Sequence, residues 1–297
     1  MKNLCLYPHL WSMVTQLLLL PTLANVAPAQ ENKPALTGQM PAPIDPADAA
    51  ILTEKLALAR QHSDLAARTL AVAQSLQGTP YGTLSASPNE YLMLSARQLD
   101  CWTFVEISLA IALAAQHKEA SVATVADYVR QLRYWGGTVD GYASRVHYLS
   151  GWLRQAQDLG YLRDITQDLG GQPFRKDIRY MSDHPEQYPP LKDPETLRRI
   201  RQVETRLSRR THYYIPQNHI ERIERHLQPG DIIAITSARP GLDFAHLGFA
   251  IAQKGRIHLL HASSLQGRVV ISAQPLGAYV RSQKGQTGVA VGRINGK

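Results

Sequence analysis

Apolar residues recur at helical spacing through the first half of the chain. Asp45-Pro46 places an N-cap side chain before a proline at the first helical position, and apolar residues three to four positions apart follow as far as Leu76. The same start signal recurs at Asp193-Pro194 and opens a strongly basic helix that ends near Arg210. Further stretches with helical spacing cover residues 101–115, 121–133 and 145–157.

The pattern changes in the last third of the chain, where short apolar runs replace the helical spacing. Residues 232–236 form a β-branched run that predicts a buried strand, and residues 269–272 predict another. Residues 245–253 and 257–262 predict a hairpin that turns at Lys254-Gly255-Arg256. Helices followed by antiparallel strands predict an α+β fold.

A short apolar run near the N-terminus predicts an export signal. Lys2 is the only charged residue before Glu31, and the run over residues 10–20 is shorter than the roughly 20 residues needed to span a bilayer. Ala27-Pro28-Ala29 offers small residues at the spacing that signal peptidase recognises. We therefore predict a cleaved signal peptide over residues 1–29, a linker over 30–45 and a single domain over 46–297. A retained membrane anchor is the alternative.

The composition excludes several classes of protein and indicates which cysteine could be reactive. The 297 residues are 44% hydrophobic and 19% charged, which excludes a disordered chain, a collagen and a disulfide-rich miniprotein. The net charge of +8 favours an anionic partner such as nucleic acid, a membrane surface or a cell-wall polymer. Signal cleavage would remove Cys5 and leave Cys101 as a lone thiol in an oxidising compartment. Cys101 is therefore a candidate reactive residue.

Cys101 follows Asp100 at the point where a turn-rich segment meets a predicted helix. If Asp100 caps this helix, the thiol lies in its first turn, where the helix dipole lowers a cysteine pKa into the range ~3.5–7.5. The free backbone N–H groups there could also receive the oxyanion of a tetrahedral intermediate. The alternative is a buried structural cysteine.

The predicted hairpin carries one histidine on each strand, His246 and His261. Antiparallel pairing brings the two strands side by side with an offset or a bulge, so one imidazole could orient the other. A cysteine nucleophile needs a general base, and the base needs an orienting partner. His246 as base and His261 as orienting residue fit that scheme, whereas each alone also fits a histidine with an ordinary structural role in a sheet.

Five short motifs occur in a fixed order along the chain. They are Gly78-Thr79-Pro80-Tyr81, Leu99-Asp100-Cys101-Trp102-Thr103-Phe104-Val105, Pro229-Gly230-Asp231, His246-Leu247-Gly248-Phe249-Ala250 and His261-Ala262-Ser263. Together they resemble the motifs of the NlpC-type papain-like cell-wall hydrolases, and most closely those of the N-acetylmuramoyl-L-alanine amidase-like branch. The resemblance implies a papain-like core, with a cysteine on a helix N-terminus packed on an antiparallel sheet. It also implies a long helical insertion, here over about residues 137–228.

The resemblance implies a role for each matching residue. Cys101 matches the nucleophile, His246 the general base and acid, and His261 the third polar residue that fixes the imidazole. Tyr81 matches a tyrosine of the substrate cleft, and Asp100 and Trp102 are expected to contribute to substrate binding beside the cysteine. Trp102 stands where the wider superfamily commonly has a small residue.

The implied activity is hydrolysis of an amide in peptidoglycan through a thioester acyl-enzyme, with no metal or organic cofactor. The expected partners are peptidoglycan or muropeptides, with no nucleic acid and no stable membrane insertion after signal cleavage. The protein is expected to be a monomer, exported to the periplasm or associated with the cell wall.

Several alternatives remain open at the level of sequence. The enzyme could instead cut the γ-D-glutamyl bond to the diamino acid, or transfer the acyl group to an amine. A non-catalytic wall-binding protein is a further alternative, although all three catalytic positions are filled. Two histidines and two glutamates lie close together along the chain, but their spacing is not that of metal ligands. A solvated helix face therefore explains them better than a metal site; they are His219, Glu221, Glu224 and His226. The basic helix after Asp193 could hold nucleic acid, a solvated face or an anionic wall polymer.

Overall fold

The computed structural model describes residues 44–84 and 90–295. Its α-helices are α1 (Pro46–Ala59), α2 (Leu65–Ser75), α3 (Cys101–Ala114), α4 (Val122–Arg133), α5 (Leu149–Asp158), α6 (Tyr180–Asp183), α7 (Pro194–Ser208), α8 (Ile220–Ile223) and α9 (Leu276–Ser282). Its strands are β1 (Leu162–Asp164), β2 (Gln172–Phe174), β3 (His212–Pro216), β4 (Ile232–Ser237), β5 (Phe244–Gln253), β6 (Arg256–Ser263), β7 (Arg268–Ile271) and β8 (Gln286–Ile294). The α+β prediction is confirmed. The predicted signal peptide and most of the predicted linker lie outside the described residues.

One antiparallel sheet contains all eight of these strands, in the order β2-β3-β8-β4-β5-β6-β7, with β1 also paired to β8. Strand β4 is buried at every position and lies between β8 and β5. Its continuous β-branched run therefore predicted a buried strand correctly. Strand β8 was not predicted, because Gly288 and Gly292 interrupt its apolar alternation.

Helix α3 is the central helix of the fold. Every residue from Phe104 to Ala114 is buried, and the helix packs against α1, α2 and α4 as well as β5 and β6. The ring of Phe104 meets that of Phe249 on β5 edge-on, with centroids 5.6 Å apart. A helix that is apolar on nearly all faces needs such complete enclosure. The enclosure fixes the start of α3 against the β5–β6 hairpin.

The segment over residues 137–228, where the resemblance implies a helical insertion, contains strands as well as helices. It contains α5 to α8 and strands β1, β2 and β3; β1 and β3 pair with β8, and β2 pairs with β3. These strands are three to five residues long and carry no periodic signal that sequence analysis could detect. Helix α5 begins at Leu149, later than predicted, because Arg145 is paired with Tyr134 in an isolated bridge.

A buried ion pair stabilises the middle of α3. The carboxylate of Glu106 is fully buried and accepts a hydrogen bond from Nε of Arg133 at 2.8 Å. Arg133 also donates from Nη1 to the carbonyl oxygen of Met93 at 2.5 Å, which ties α4 to the segment before α3. Removing one member would leave the other charge buried without a counter-charge.

We expect Glu106→Ala to lower the free energy of unfolding by about 3–5 kcal/mol, because the Arg133 guanidinium would stay buried and unpaired. The double variant Glu106→Leu/Arg133→Leu should recover most of this loss, since no buried charge remains. Urea denaturation followed by circular dichroism measures both. A loss below about 1 kcal/mol in the single variant would show that water or another group solvates Arg133.

Candidate active site

The segment before α3 is anchored on both sides. Tyr81 pairs with Leu99 in a parallel bridge, and its backbone N–H donates to the carbonyl oxygen of Gly267 at 2.8 Å. Asp100 caps α3 as predicted: its Oδ1 accepts from the Thr103 N–H at 2.7 Å, and Thr103 Oγ1 accepts from the Asp100 N–H at 3.0 Å. This capping box fixes Cys101 as the first residue of the helix.

The Cys101 sulfur lies against strand β5. The backbone N–H groups of Leu247, Cys101 and Trp102 lie near it and favour its charged form, and Leu247 directly follows His246. Burial, and secondly the charge of Asp100, raise the pKa of the Cys101 thiol to about 12 against the smaller effect of these N–H groups. This is opposite to the lowered pKa that the helix start predicts. Desolvation outweighs the helix dipole here.

The hairpin that carries the two histidines turns as predicted. Lys254 and Gly255 both have positive φ, at 50° and 74°, which gives the strands a tight two-residue connection. The pairing of β4 with β5 shifts register between Ile235 and Thr236, so β5 has an irregularity next to His246. A Cβ atom on Gly248 would lie 3.0 Å from the His261 Cβ and 2.7 Å from the Leu260 carbonyl oxygen. The close approach of the two strands therefore requires glycine at this position.

The two imidazoles form a hydrogen bond between His246 Nε2 and His261 Nδ1 at 2.6 Å. Their rings are nearly perpendicular, with centroids 4.8 Å apart. Burial lowers the pKa of His246 to about 4. Burial, and secondly the charge of His246, lower the pKa of His261 to about 3. Both rings are therefore neutral near pH 7, and one nitrogen of this pair must donate while the other accepts.

Tyr279 completes the cluster and was not found from the sequence. It lies on α9, and its ring meets His261 at 64° with centroids 5.2 Å apart. Burial raises the pKa of Tyr279, and the charge of a Cys101 thiolate raises it further. Burial, and secondly the charge of a Cys101 thiolate, also raise the pKa of Tyr81. The two tyrosines therefore lie near the thiol. No local motif marks α9, so only the fold reveals this contact.

A small cavity of about 170 Å³ opens beside the start of α3. Asp100 and Trp102 line it. Arg145 and His147 face them from the segment before α5. Two nitrogens of Arg145 bind Glu90 Oε1, and His147 Nε2 contacts the carbonyl oxygen of Tyr142 at 2.8 Å. Burial lowers the pKa of His147 to about 3, so its imidazole is neutral as well.

Two further features concern metals and membranes. Within residues 44–84 and 90–295, no cluster of three histidine, cysteine or carboxylate side chains could hold a metal ion. Glu221 and Glu224, considered above, form ion pairs with Arg281 and Arg256 instead. None of the helices in this part of the chain combines the length and apolar character needed to cross a bilayer.

Fold and site together define an α+β protein. In it a cysteine begins a capped helix that packs on a hairpin carrying two hydrogen-bonded imidazoles. Comparison with protein families gives the assignment: residues 71–289 match the AmiA-like family, described as N-acetylmuramoyl-L-alanine amidase-like. The match covers more than two thirds of the chain, which therefore belongs to this family. A search of curated proteins finds no match.

Solved structures share the fold over most of the chain. An N-acetylmuramoyl-L-alanine amidase from Bacteroides uniformis has 34% identity and a TM-score of 0.74, covering 78% of this chain and 99% of its own. A proposed xylanase from Bacteroides fragilis has 37% identity and a TM-score of 0.71, covering 75% and 99%. A Legionella pneumophila protein with 22% identity and a TM-score of 0.63 shares the fold, covering 84% and 95%.

The raised pKa of the thiol predicts slow alkylation of Cys101. Near pH 7, iodoacetamide should modify it two to three orders of magnitude more slowly than an ordinary cysteine of pKa ~8.5, because little thiolate is present. The rate should continue to rise about tenfold per pH unit through pH ~9. Mass spectrometry of the peptide containing Cys101 measures the rate separately from Cys5. Fast modification with a plateau below pH ~7 would instead show a thiolate paired with a protonated imidazole.

Proposed function

We propose that this chain is an exported cysteine amidase that hydrolyses the amide between N-acetylmuramic acid and L-alanine in peptidoglycan. The observation that carries the proposal is the 2.6 Å hydrogen bond between His246 and His261, since the Leu247 N–H next to His246 lies near the Cys101 sulfur at the start of α3. The relatives named N-acetylmuramoyl-L-alanine amidase support a peptidoglycan amidase-like function. Family membership also supports an extracytoplasmic location, to which the predicted signal peptide over residues 1–29 and a single domain from residue 46 would correspond.

The hydrogen bonds favour one arrangement of protons. If His246 donates from Nε2 to Nδ1 of His261, its own Nδ1 is free to accept the thiol proton of Cys101. His261 then carries its proton on Nε2, an atom that is buried and has no hydrogen-bond partner among the described residues. The ring of Tyr279 meets His261 at 64° with centroids 5.2 Å apart, and we place this N–H against its π face. Tyr279 is thus a positioning residue for His261.

The reaction then follows from this proton arrangement. The sulfur of Cys101 attacks the carbonyl carbon of the substrate while His246 takes the thiol proton, and backbone N–H groups at the start of α3 stabilise the oxyanion. The C–N bond breaks as His246 returns the proton to the leaving nitrogen of L-alanine. Water, deprotonated by His246, then hydrolyses the thioester and regenerates the thiol.

This arrangement corresponds to a papain-like site, in which a cysteine at a helix start meets a histidine on an antiparallel sheet. Tyr81, Asp100 and Trp102 would bound the substrate cleft, next to the cavity that Arg145 and His147 also line. No step of the reaction as proposed uses a metal or an organic cofactor.

The xylanase activity proposed for the Bacteroides fragilis relative fits the site less well. Glycoside hydrolysis ordinarily uses two carboxyl groups on opposite sides of the scissile bond. Among the described residues that line the cavity, Asp100 is the one acidic side chain, and its carboxylate caps α3. Glu90 and Glu106 are each held by an arginine.

Digestion of purified sacculi tests the proposed activity. We expect the protein to release stem peptides that begin with L-alanine and carry no sugar, as measured by mass spectrometry. Cys101→Ala should release none and keep its circular dichroism spectrum, because alanine is well tolerated in a first helical turn.

Three other outcomes would replace this proposal. Fragments cut after D-glutamate would establish the endopeptidase, and peptides coupled to an added amine would establish acyl transfer. Binding to sacculi without any release would establish a wall-binding protein. Release by Cys101→Ala at the rate of the unmodified protein would exclude the cysteine mechanism.

The two histidines and Tyr279 should differ in how strongly they affect turnover. We expect His246→Ala to lower kcat by about 10³-fold and His261→Ala by about 10–100-fold, since proton transfer contributes more than orientation. Tyr279→Phe keeps the ring and should keep turnover within about twofold, whereas Tyr279→Leu should lower kcat several-fold with little change in KM. Steady-state kinetics on a soluble disaccharide-peptide measures all four. A larger loss of kcat in His261→Ala than in His246→Ala would show that His261 is the base and His246 the orienting residue.

A further inference from the structure

The exposed side of helix α7 carries a stripe of cationic side chains that the proposed reaction does not use. We call it the arginine stripe, and it continues over the two residues that follow α7. From Arg198 to Arg209 the stripe extends over roughly 17 Å. The residues of this face are Arg198, Arg201, Gln202, Thr205, Arg206, Arg209 and Arg210.

Most of this positive charge is not neutralised by neighbouring acids. Arg201, Arg209 and Arg210 form no ion pair with any described acidic residue. Arg206 instead lies over the ring of Trp135, with its guanidinium carbon 5.3 Å from the centroid. Arg198 is the member that has an acidic partner, since its Nε donates to Glu195 at 2.7 Å.

The acidic residue within this stretch of α7 is turned away from the stripe. Glu204 is only 2% exposed, and its Oε1 accepts hydrogen bonds from the Tyr148 hydroxyl at 2.7 Å and the Ser182 N–H at 3.0 Å. The apolar residues of α7, Ile200 and Leu207 among them, are also buried. The exposed side therefore offers guanidinium groups and short polar side chains, with no apolar residue to insert into a bilayer.

We propose that the arginine stripe binds the carboxylates of the peptidoglycan polymer and holds the sacculus while the site acts on one stem peptide. This inference rests on the proposed function, because it takes the partner to be the substrate polymer. Guanidinium groups bind carboxylates in a bidentate manner, and repeating stem peptides present carboxylates along an extended strand. A row of cations matches such a partner better than a single small anion.

Sedimentation with sacculi tests the stripe without requiring any cleavage. In a Cys101→Ala background, the triple variant Arg201→Gln/Arg209→Gln/Arg210→Gln should bind sacculi about tenfold more weakly at low salt, and its remaining affinity should depend less on salt. The matched control removes three exposed cations elsewhere: Arg222→Gln, Arg225→Gln and Lys284→Gln. The control should bind within about twofold of the parent.

Chemical blocking of the sacculus identifies the group that is bound. Sacculi whose carboxylates are converted to neutral amides should bind the parent protein as weakly as untreated sacculi bind the triple variant. Turnover of a soluble disaccharide-peptide by the triple variant with Cys101 intact should stay within about twofold, because the stripe is not part of the catalytic cluster.

The outcomes separate this inference from the proposed function. Equal weakening by the triple variant and its control, or unchanged binding of blocked sacculi, would overturn the stripe as a carboxylate-binding surface. Loss of binding to phosphatidylglycerol vesicles or to DNA, with sacculus binding intact, would overturn it in favour of those partners. Failure to cleave the soluble substrate would refute the amidase and leave the binding result standing.

Discussion

Helix α3 is buried from Phe104 to Ala114, so an ionisable group in that span must be stabilised by protein groups and not by water. Burial raises the pKa of the Glu106 carboxyl, and the charge and hydrogen bond of Arg133 oppose that effect. Cys101, at the first residue, has no cation beside it, and the nearest described charge, that of Asp100, is negative. Burial raises the pKa of both groups, and only at Glu106 does a neighbouring cation oppose it.

This constraint shapes the chemistry available to the site. With the pKa of Cys101 raised and those of His246 and His261 lowered, the resting site contains a neutral thiol and neutral imidazoles. In the proposed reaction the proton then moves to His246 as the sulfur attacks, much as in a serine hydrolase. In that reaction charge develops only in the transition state, close to the first backbone N–H groups of α3. Such an arrangement stabilises the transition state more than the resting enzyme.

The features that the sequence predicts well are those with a local cause. The cap at Asp100, the start of α3 and the turn at Lys254-Gly255 each depend on neighbouring residues, and all three are confirmed. The direction of the Cys101 pKa was predicted wrongly, because the helix dipole is a local property whereas burial depends on the whole fold. Tyr279 lies eighteen positions beyond His261, and no pattern in between predicts their contact.

The reacting groups of the proposed site are neutral, so they exert little long-range attraction on an anionic substrate. Attraction beyond contact distance must come from charges elsewhere on the surface, and it falls off over about 8 Å at physiological salt. The cations of α7 can serve this purpose because they are solvated, so their charge costs little and need not perturb the pKa of the thiol. If they sat beside Cys101 they would stabilise the thiolate and weaken the coupling of proton transfer to attack. The arginines that would bind the polymer are thus separate from the groups that would react. A change in salt concentration should therefore alter the affinity for the polymer and leave the rate of the chemical step unchanged.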